Sequence, residues 1–115
     1  MNPADRNLPG DPLRFIQECI RTQRVPWTYH VNMRLKGRFI PRDAILDAVG
    51  SYEMVEAYPG DKYLPGYLVL AKSASEAFHV LLAADLEGGN VRVVTAYRPG
   101  EVEWEGDWKT RRVQR

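Results

Sequence analysis

Apolar positions along the chain change period once, near residue 50, and this divides the sequence into a helical half and a sheet half. In the first half Phe15, Ile16, Cys19 and Ile20 recur at the spacing of one helix face. They follow Asp11 and Pro12, an N-cap carboxylate and a proline at the first helical position. The pattern predicts a helix over residues 12–23, broken by Val25-Pro26-Trp27. Thr28 caps a second helix that runs to residue 36 and stops at Gly37, with Val31 and Leu35 turned inward. A third, over residues 41–49, buries Ala44, Ile45, Ala48 and Val49 and ends at Gly50.

Beyond Gly50 the pattern alternates with the period of strands, which are predicted over residues 53–58, 67–72, 78–85 and 91–98. Pro59-Gly60-Asp61 and Glu87-Gly88-Gly89-Asn90 mark turns, and Ser73-Ala74-Ser75-Glu76 is a polar link. Links this short allow only antiparallel pairing, since parallel strands need long crossovers. The expected fold is therefore α+β, with the N-terminal helices packed on one face of a four-stranded antiparallel sheet. Residues 1–10, with Pro3, Asn7, Pro9 and Gly10, read as a poorly ordered lead-in, residues 11–104 as one domain and residues 105–115 as a polar tail. Trp104 and Trp108, at helical spacing, are expected to seal an open end or edge of the core. The first strand, at a sheet edge, is able to pair with a copy or a partner strand.

Composition narrows the class. At 115 residues the chain suits one domain, and its 44% hydrophobic and 27% charged residues are those of a globular protein. Its single cysteine, Cys19, reads as a core residue and no Cys/His group has zinc spacing, so no metal and no cofactor are expected. The start lacks the layout of a signal peptide and no apolar run nears the ~18 residues of a membrane span, so a cytoplasmic location without a membrane partner is expected.

The net charge of +1 is low for a dedicated nucleic-acid binder, but the charges are segregated. Between residues 14 and 42 stand Arg14, Arg21, Arg24, Arg34, Lys36, Arg38 and Arg42 against Glu18 alone. Residues 43–61 hold acids and no Lys or Arg. A basic helical face follows from this distribution.

Candidate chemistry begins with His30 and Arg34, one helical turn apart, with Arg38 a further turn on. Alternation on the third strand puts Phe78, Val80, Leu82 and Ala84 on one side and His79, Leu81, Ala83 and Asp85 on the other. On the fourth it separates Val91, Val93, Thr95 and Tyr97 from Arg92, Val94, Ala96 and Arg98. A hairpin turning at Gly88-Gly89 sets His79 beside Tyr97 or Arg98. Two histidines, an arginine and a tyrosine suit metal-independent RNA cleavage. One histidine takes the 2′-hydroxyl proton and the other protonates the leaving oxygen, since imidazole titrates near neutral pH. Arg34 would stabilise the phosphate charge and Tyr97 would position substrate. Against this stand structural readings: His30 as a surface histidine, Arg34 paired with Glu53 or Glu56, His79 and Tyr97 as sheet residues, and Tyr58, Tyr63 and Tyr67 as an aromatic rim. The competing function is a non-catalytic module that binds protein or nucleic acid through the same cleft or the basic helical face.

The run Trp27-Thr28-Tyr29-His30-Val31-Asn32-Met33-Arg34-Leu35-Lys36, together with Tyr58-Pro59, Phe78-His79-Val80 and Val94-Thr95-Ala96-Tyr97-Arg98-Pro99, resembles a small prokaryotic family, domain-of-unknown-function family 4258. The similarity spans residues 25–104. The family's usual Arg-Gly-Ile step after the first helix is replaced here by Gly37-Arg38-Phe39-Ile40. The resemblance implies a RelE/barnase-like ribonuclease fold and a toxin-type or RNA-processing endoribonuclease, acting on RNA and held by a cognate antitoxin. It places the family's polar positions on His30, Arg34, His79, Thr95 and Tyr97. Catalysis is then expected of His30, Arg34, His79 and Tyr97, and substrate binding of Arg38, Thr95 and Arg98. The oligomeric state is left open.

Overall fold

A computed structural model describes residues 8–113, so residues 1–7 of the expected lead-in and the last two of the tail lie outside the described residues. Three helices precede four strands: α1 Pro12–Arg21, α2 Tyr29–Gly37, α3 Arg42–Asp47, β1 Glu53–Tyr58, β2 Gly66–Lys72, β3 Ala77–Asp85 and β4 Asn90–Tyr97. The Asp11 side chain accepts from the Arg14 amide at 3.1 Å and opens α1. This helix stops two residues before the predicted end because Gln23 turns left-handed, with φ 61. Thr28 caps α2 by accepting from the Val31 amide at 3.2 Å.

The end of α2 differs from the expected stop at Gly37, which remains helical. The Phe39 amide donates to the Lys36 carbonyl at 3.2 Å and the Ile40 amide reaches back to Leu35 at 3.0 Å. These are the two bonds of a Schellman motif, whose left-handed residue is usually glycine. Here it is Phe39, with φ 55. Leu35 and Ile40, 2% and 1% exposed, supply the apolar contact that accompanies such an ending. The third helix is shorter than its prediction and passes into a 3₁₀ turn, Val49–Ser51.

The sheet is an antiparallel meander in the order β1-β2-β3-β4. Its register runs Glu53–Leu70–His79–Tyr97 across one row and Glu56–Leu68–Leu81–Thr95 across the next. A bulge in β4 opposite Leu81 and Leu82 leaves Val94 unpaired and reverses the phase of everything after it. Val91, Val93 and Ala96 therefore face the helices, while Thr95 and Tyr97 face away. This corrects the simple alternation expected for this strand, which grouped Thr95 and Tyr97 with Val91 and Val93. The reversal brings both residues onto the face of His79.

The helices close one sheet face. Ile16, Cys19 and Ile20 of α1, Val31 and Leu35 of α2, and Ile45 of α3 pack with Val69, Phe78, Val80 and Leu82 in one apolar core. The outer edge of β4 is covered as well. Arg34 donates to the Val94 carbonyl at 3.0 Å, Arg38 to Ala96 at 3.2 Å, and the Arg24 carbonyl accepts from the Val91 amide at 3.1 Å. An edge whose backbone groups are engaged in this way is no template for another strand. Residues 99–113 return over the opposite sheet face, where Trp104 and Arg111 form a small antiparallel bridge. Beneath them Leu68 and Leu70 are 3% and 0% exposed. Among the described residues no helix is long and apolar enough to cross a membrane.

Candidate functional site

Two polar groupings emerge. The first lies toward one end of the sheet face opposite the helices. His79 is fully buried and has both ring nitrogens engaged. Nε2 lies 2.7 Å from the Trp108 carbonyl and Nδ1 lies 3.3 Å from the Tyr97 hydroxyl. A carbonyl has no hydrogen to give, so Nε2 donates; in the neutral ring Nδ1 then accepts from Tyr97. Burial holds the His79 pKa below its ordinary value, and the Trp108 carbonyl and the Glu56 charge oppose this. Trp104 meets the imidazole edge-on, with centroids 4.6 Å apart.

Beside this pair, Arg111 donates Nε and Nη2 to the Glu56 carboxylate at 2.7 and 3.0 Å and lies over Trp104 at 4.5 Å. The Tyr58 hydroxyl donates to the same carboxylate. The Arg111 hydrogen bonds hold the Glu56 carboxyl below the usual carboxylate range against the opposing effect of burial. Burial, with the Glu56 bond and charge, raises the Tyr58 pKa, and burial raises that of Tyr97. A carboxylate, an imidazole, two phenols and a guanidinium thus meet under the C-terminal segment. Among the described residues no group of three His, Cys, Asp or Glu is placed to hold a metal ion.

The second grouping is the solvent side of α2. His30 is exposed, Tyr29 is 73% exposed and Met33 48%. Arg34 and Arg38 reach over the edge of β4, where Arg38 also donates to the Thr95 hydroxyl. Their partners are carbonyls and a hydroxyl, so neither guanidinium is neutralised by a carboxylate among the described residues. The expected pairing of Arg34 with Glu53 or Glu56 does not form. Glu53 faces Lys72 and Lys109, and Glu56 is taken by Arg111.

Of the residues singled out from sequence, His79 and Tyr97 come together in register, and Arg34, Arg38 and Thr95 line the neighbouring edge. His30 lies on the α2 surface, away from the buried cluster of His79. α2 runs alongside β4 so that Arg34 meets Val94 and Arg38 meets Ala96, at the Tyr97 end. His30 lies eight residues before Arg38, about 12 Å along the helix from the His79 end. Arg98 is a clamp: it donates to Glu76 at 2.6 and 3.1 Å, to the Arg38 carbonyl at 2.6 Å and to Phe39 at 3.1 Å. Of the aromatic rim, Tyr67 is in the core, Tyr58 joins the buried cluster and Tyr63 is 83% exposed. Sequence reasoning missed Glu56 and Arg111 as members of the cluster. Simple alternation sets Glu56 opposite to Glu53, and only the bulge that leaves Val55 unpaired brings it to this face; nothing periodic marked Arg111.

No curated protein and no solved structure matches the chain. One family does, described as Domain of unknown function (DUF4258), over residues 27–98. That span begins just ahead of α2 and ends one residue after β4. It includes His30, Arg34, His79 and Tyr97 and stops before the segment that covers His79. On this match the chain belongs to the DUF4258 family.

Proposed function

We propose that the domain binds single-stranded RNA along the exposed side of α2 and the adjoining edge of β4. The observation that carries this reading is a row of two guanidiniums, Arg34 and Arg38, left un-neutralised, with the exposed His30 one turn before Arg34 and the Tyr29 ring 6.0 Å from that of His30. Phosphates pair with such guanidiniums, and unstacked bases lie on exposed aromatic rings. The hydrogen bonds to β4 fix both arginine stems, so little conformational freedom is lost when a strand arrives.

A second reading, metal-independent endoribonuclease activity, is favoured by the cluster of His79, Tyr97, Glu56 and Arg111. Glu56 or His79 would serve as base and acid, and Arg111 would stabilise phosphate charge. Both ring nitrogens of His79 are occupied under Trp104 and Trp108, so this reading requires residues 99–113 to lift away. Under it the activity would be toxin-type and a cognate antitoxin would restrain it.

One experiment separates the two. A dye-labelled single-stranded RNA is titrated with wild type, Tyr29→Ala, Arg34→Gln and His79→Gln in the presence of a chelator, followed by anisotropy and by gel. RNA binding predicts retention of intact RNA, weakened in Tyr29→Ala and Arg34→Gln and unchanged in His79→Gln. Cleavage that disappears in His79→Gln would replace it with the second reading. Absence of both retention and cleavage at low salt would remove both.

A further inference from the structure

We infer that the groove at the C-terminal end of α2 is a docking site for an acidic segment of another protein, with Phe39 as its anchor. This site goes beyond the RNA reading, since it lies on the Asn32 and Lys36 side of α2 and not on the Arg34 side. The groove is an open depression lined by Asn32, Leu35, Lys36, Phe39, Pro41 and Arg42, with the buried Ile40 beneath it.

Three features converge on this groove. Phe39 is 84% exposed in a backbone conformation that a bulky side chain adopts only under strain. Such strain persists only where the surroundings impose it, and here they do. The Arg98 guanidinium holds the carbonyls of Arg38 and Phe39 while Glu76 holds the guanidinium. An exposed aromatic on a clamped turn is already ordered, which is how an interface anchor gains affinity. Lastly, the charged lining is of one sign. Lys36 and Arg42 stand on the walls with no acid between them, and Arg42 is steadied over the Trp27 ring at 5.2 Å.

The complementary occupant is an apolar side chain flanked by carboxylates. Its apolar group would lie against Phe39 and Pro41, and its acids would meet Lys36 and Arg42. The one-signed lining complements carboxylates, and a nucleobase stacked on Phe39 is the outcome that the RNA measurement below would reveal.

The test uses the full chain and two dye-labelled probes: an amphipathic peptide of leucine and glutamate, and its counterpart with lysine in place of glutamate. The acidic peptide is expected to bind wild type and to lose at least about tenfold in affinity in Phe39→Gly and in Arg42→Glu. The basic peptide is expected not to bind. Glycine adopts the left-handed conformation freely, so Phe39→Gly retains the fold. Single-stranded RNA should bind Phe39→Gly as it binds wild type. Failure of the acidic peptide to bind wild type, or binding to both variants as tight as to wild type, overturns the proposal. An RNA affinity that falls with Phe39→Gly would reassign the groove to nucleic acid. Loss of RNA binding in Arg34→Gln with peptide binding intact separates the two sites.

Discussion

The two faces of one sheet are built on different rules. Toward the helices, Val69, Phe78, Val80, Leu82, Val91 and Ala96 present an apolar surface that α1, α2 and α3 cover with apolar stripes of their own. Toward the other side, the apolar Leu68 and Leu70 lie between Glu53 and Glu56 of β1 and His79 of β3, whose register neighbour on β4 is Tyr97. Apolar burial is non-directional, so any amphipathic helix of suitable shape can close the first face. A polar centre must be satisfied bond by bond, because an orphaned buried group costs about 1–3 kcal/mol. For His79 and Glu56 the irregular residues 99–113 meet that requirement, offering a carbonyl from Trp108, a guanidinium from Arg111 and an indole from Trp104.

The largest expected effect separates the faces by cooperativity. Phe78→Ala, in the helix-side core, should cost about 3–5 kcal/mol in urea unfolding and raise amide exchange throughout the chain. Trp104→Ala should lower stability by a similar or smaller amount, with its fastest new exchange confined to residues 99–113 and the strands beneath them. Equal, chain-wide exchange in both variants would mean that the faces are one cooperative unit.

Acid should weaken the polar face first. His79 is buried neutral with its pKa lowered, so the unfolded chain takes up its proton at a higher pH than the folded one. Stability is then full above the unfolded value of about 6.5 and falls as pH drops below it. Glu56, also lowered, adds a second loss in the range below the ordinary carboxylate value. Unfolding measured from pH 8 down to about pH 5 should show the first of these slopes in wild type and a flatter profile in His79→Gln. Matching profiles would show that His79 titrates alike in both states.

The smallest effect concerns Phe39 and has the opposite sign. Removing the left-handed strain gains about 1–2 kcal/mol, and the extra freedom of glycine in the unfolded chain offsets about 0.5–1 of it. Phe39→Gly should therefore raise the thermal midpoint slightly. A fall would mean that the ring packs usefully despite its exposure.

Much of this fold was legible because the apolar period changes cleanly along the chain. The four predicted strands lie within one residue of β1 to β4 at either end, and of the two partners expected for His79, Tyr97 or Arg98, the register selects Tyr97. What escaped had no local signal. Val93, Val94 and Thr95 all suit a strand, so nothing in them announced a bulge, yet the bulge decides which face Thr95 and Tyr97 occupy. Gly37 looked like the end of α2, whereas the left-handed position falls on Phe39. A glycine takes that conformation without strain, whereas Phe39 does not. The partners of His79 arrive from residues 99–113, which have no period to read. The basic face of α2 was visible in the charge distribution, but its docking against the β4 carbonyls was not.

The central claim, RNA held by the cations of α2, is tested most directly by the salt dependence of binding. Affinity of a single-stranded RNA is measured by anisotropy across a series of salt concentrations for wild type and for Arg34→Gln/Arg38→Gln. Log affinity is predicted to fall linearly with log salt, and the double substitution to reduce the slope by about 1.4, or ~0.7 for each phosphate no longer neutralised. Identical slopes in the two proteins, or no binding at the lowest salt, would contradict it.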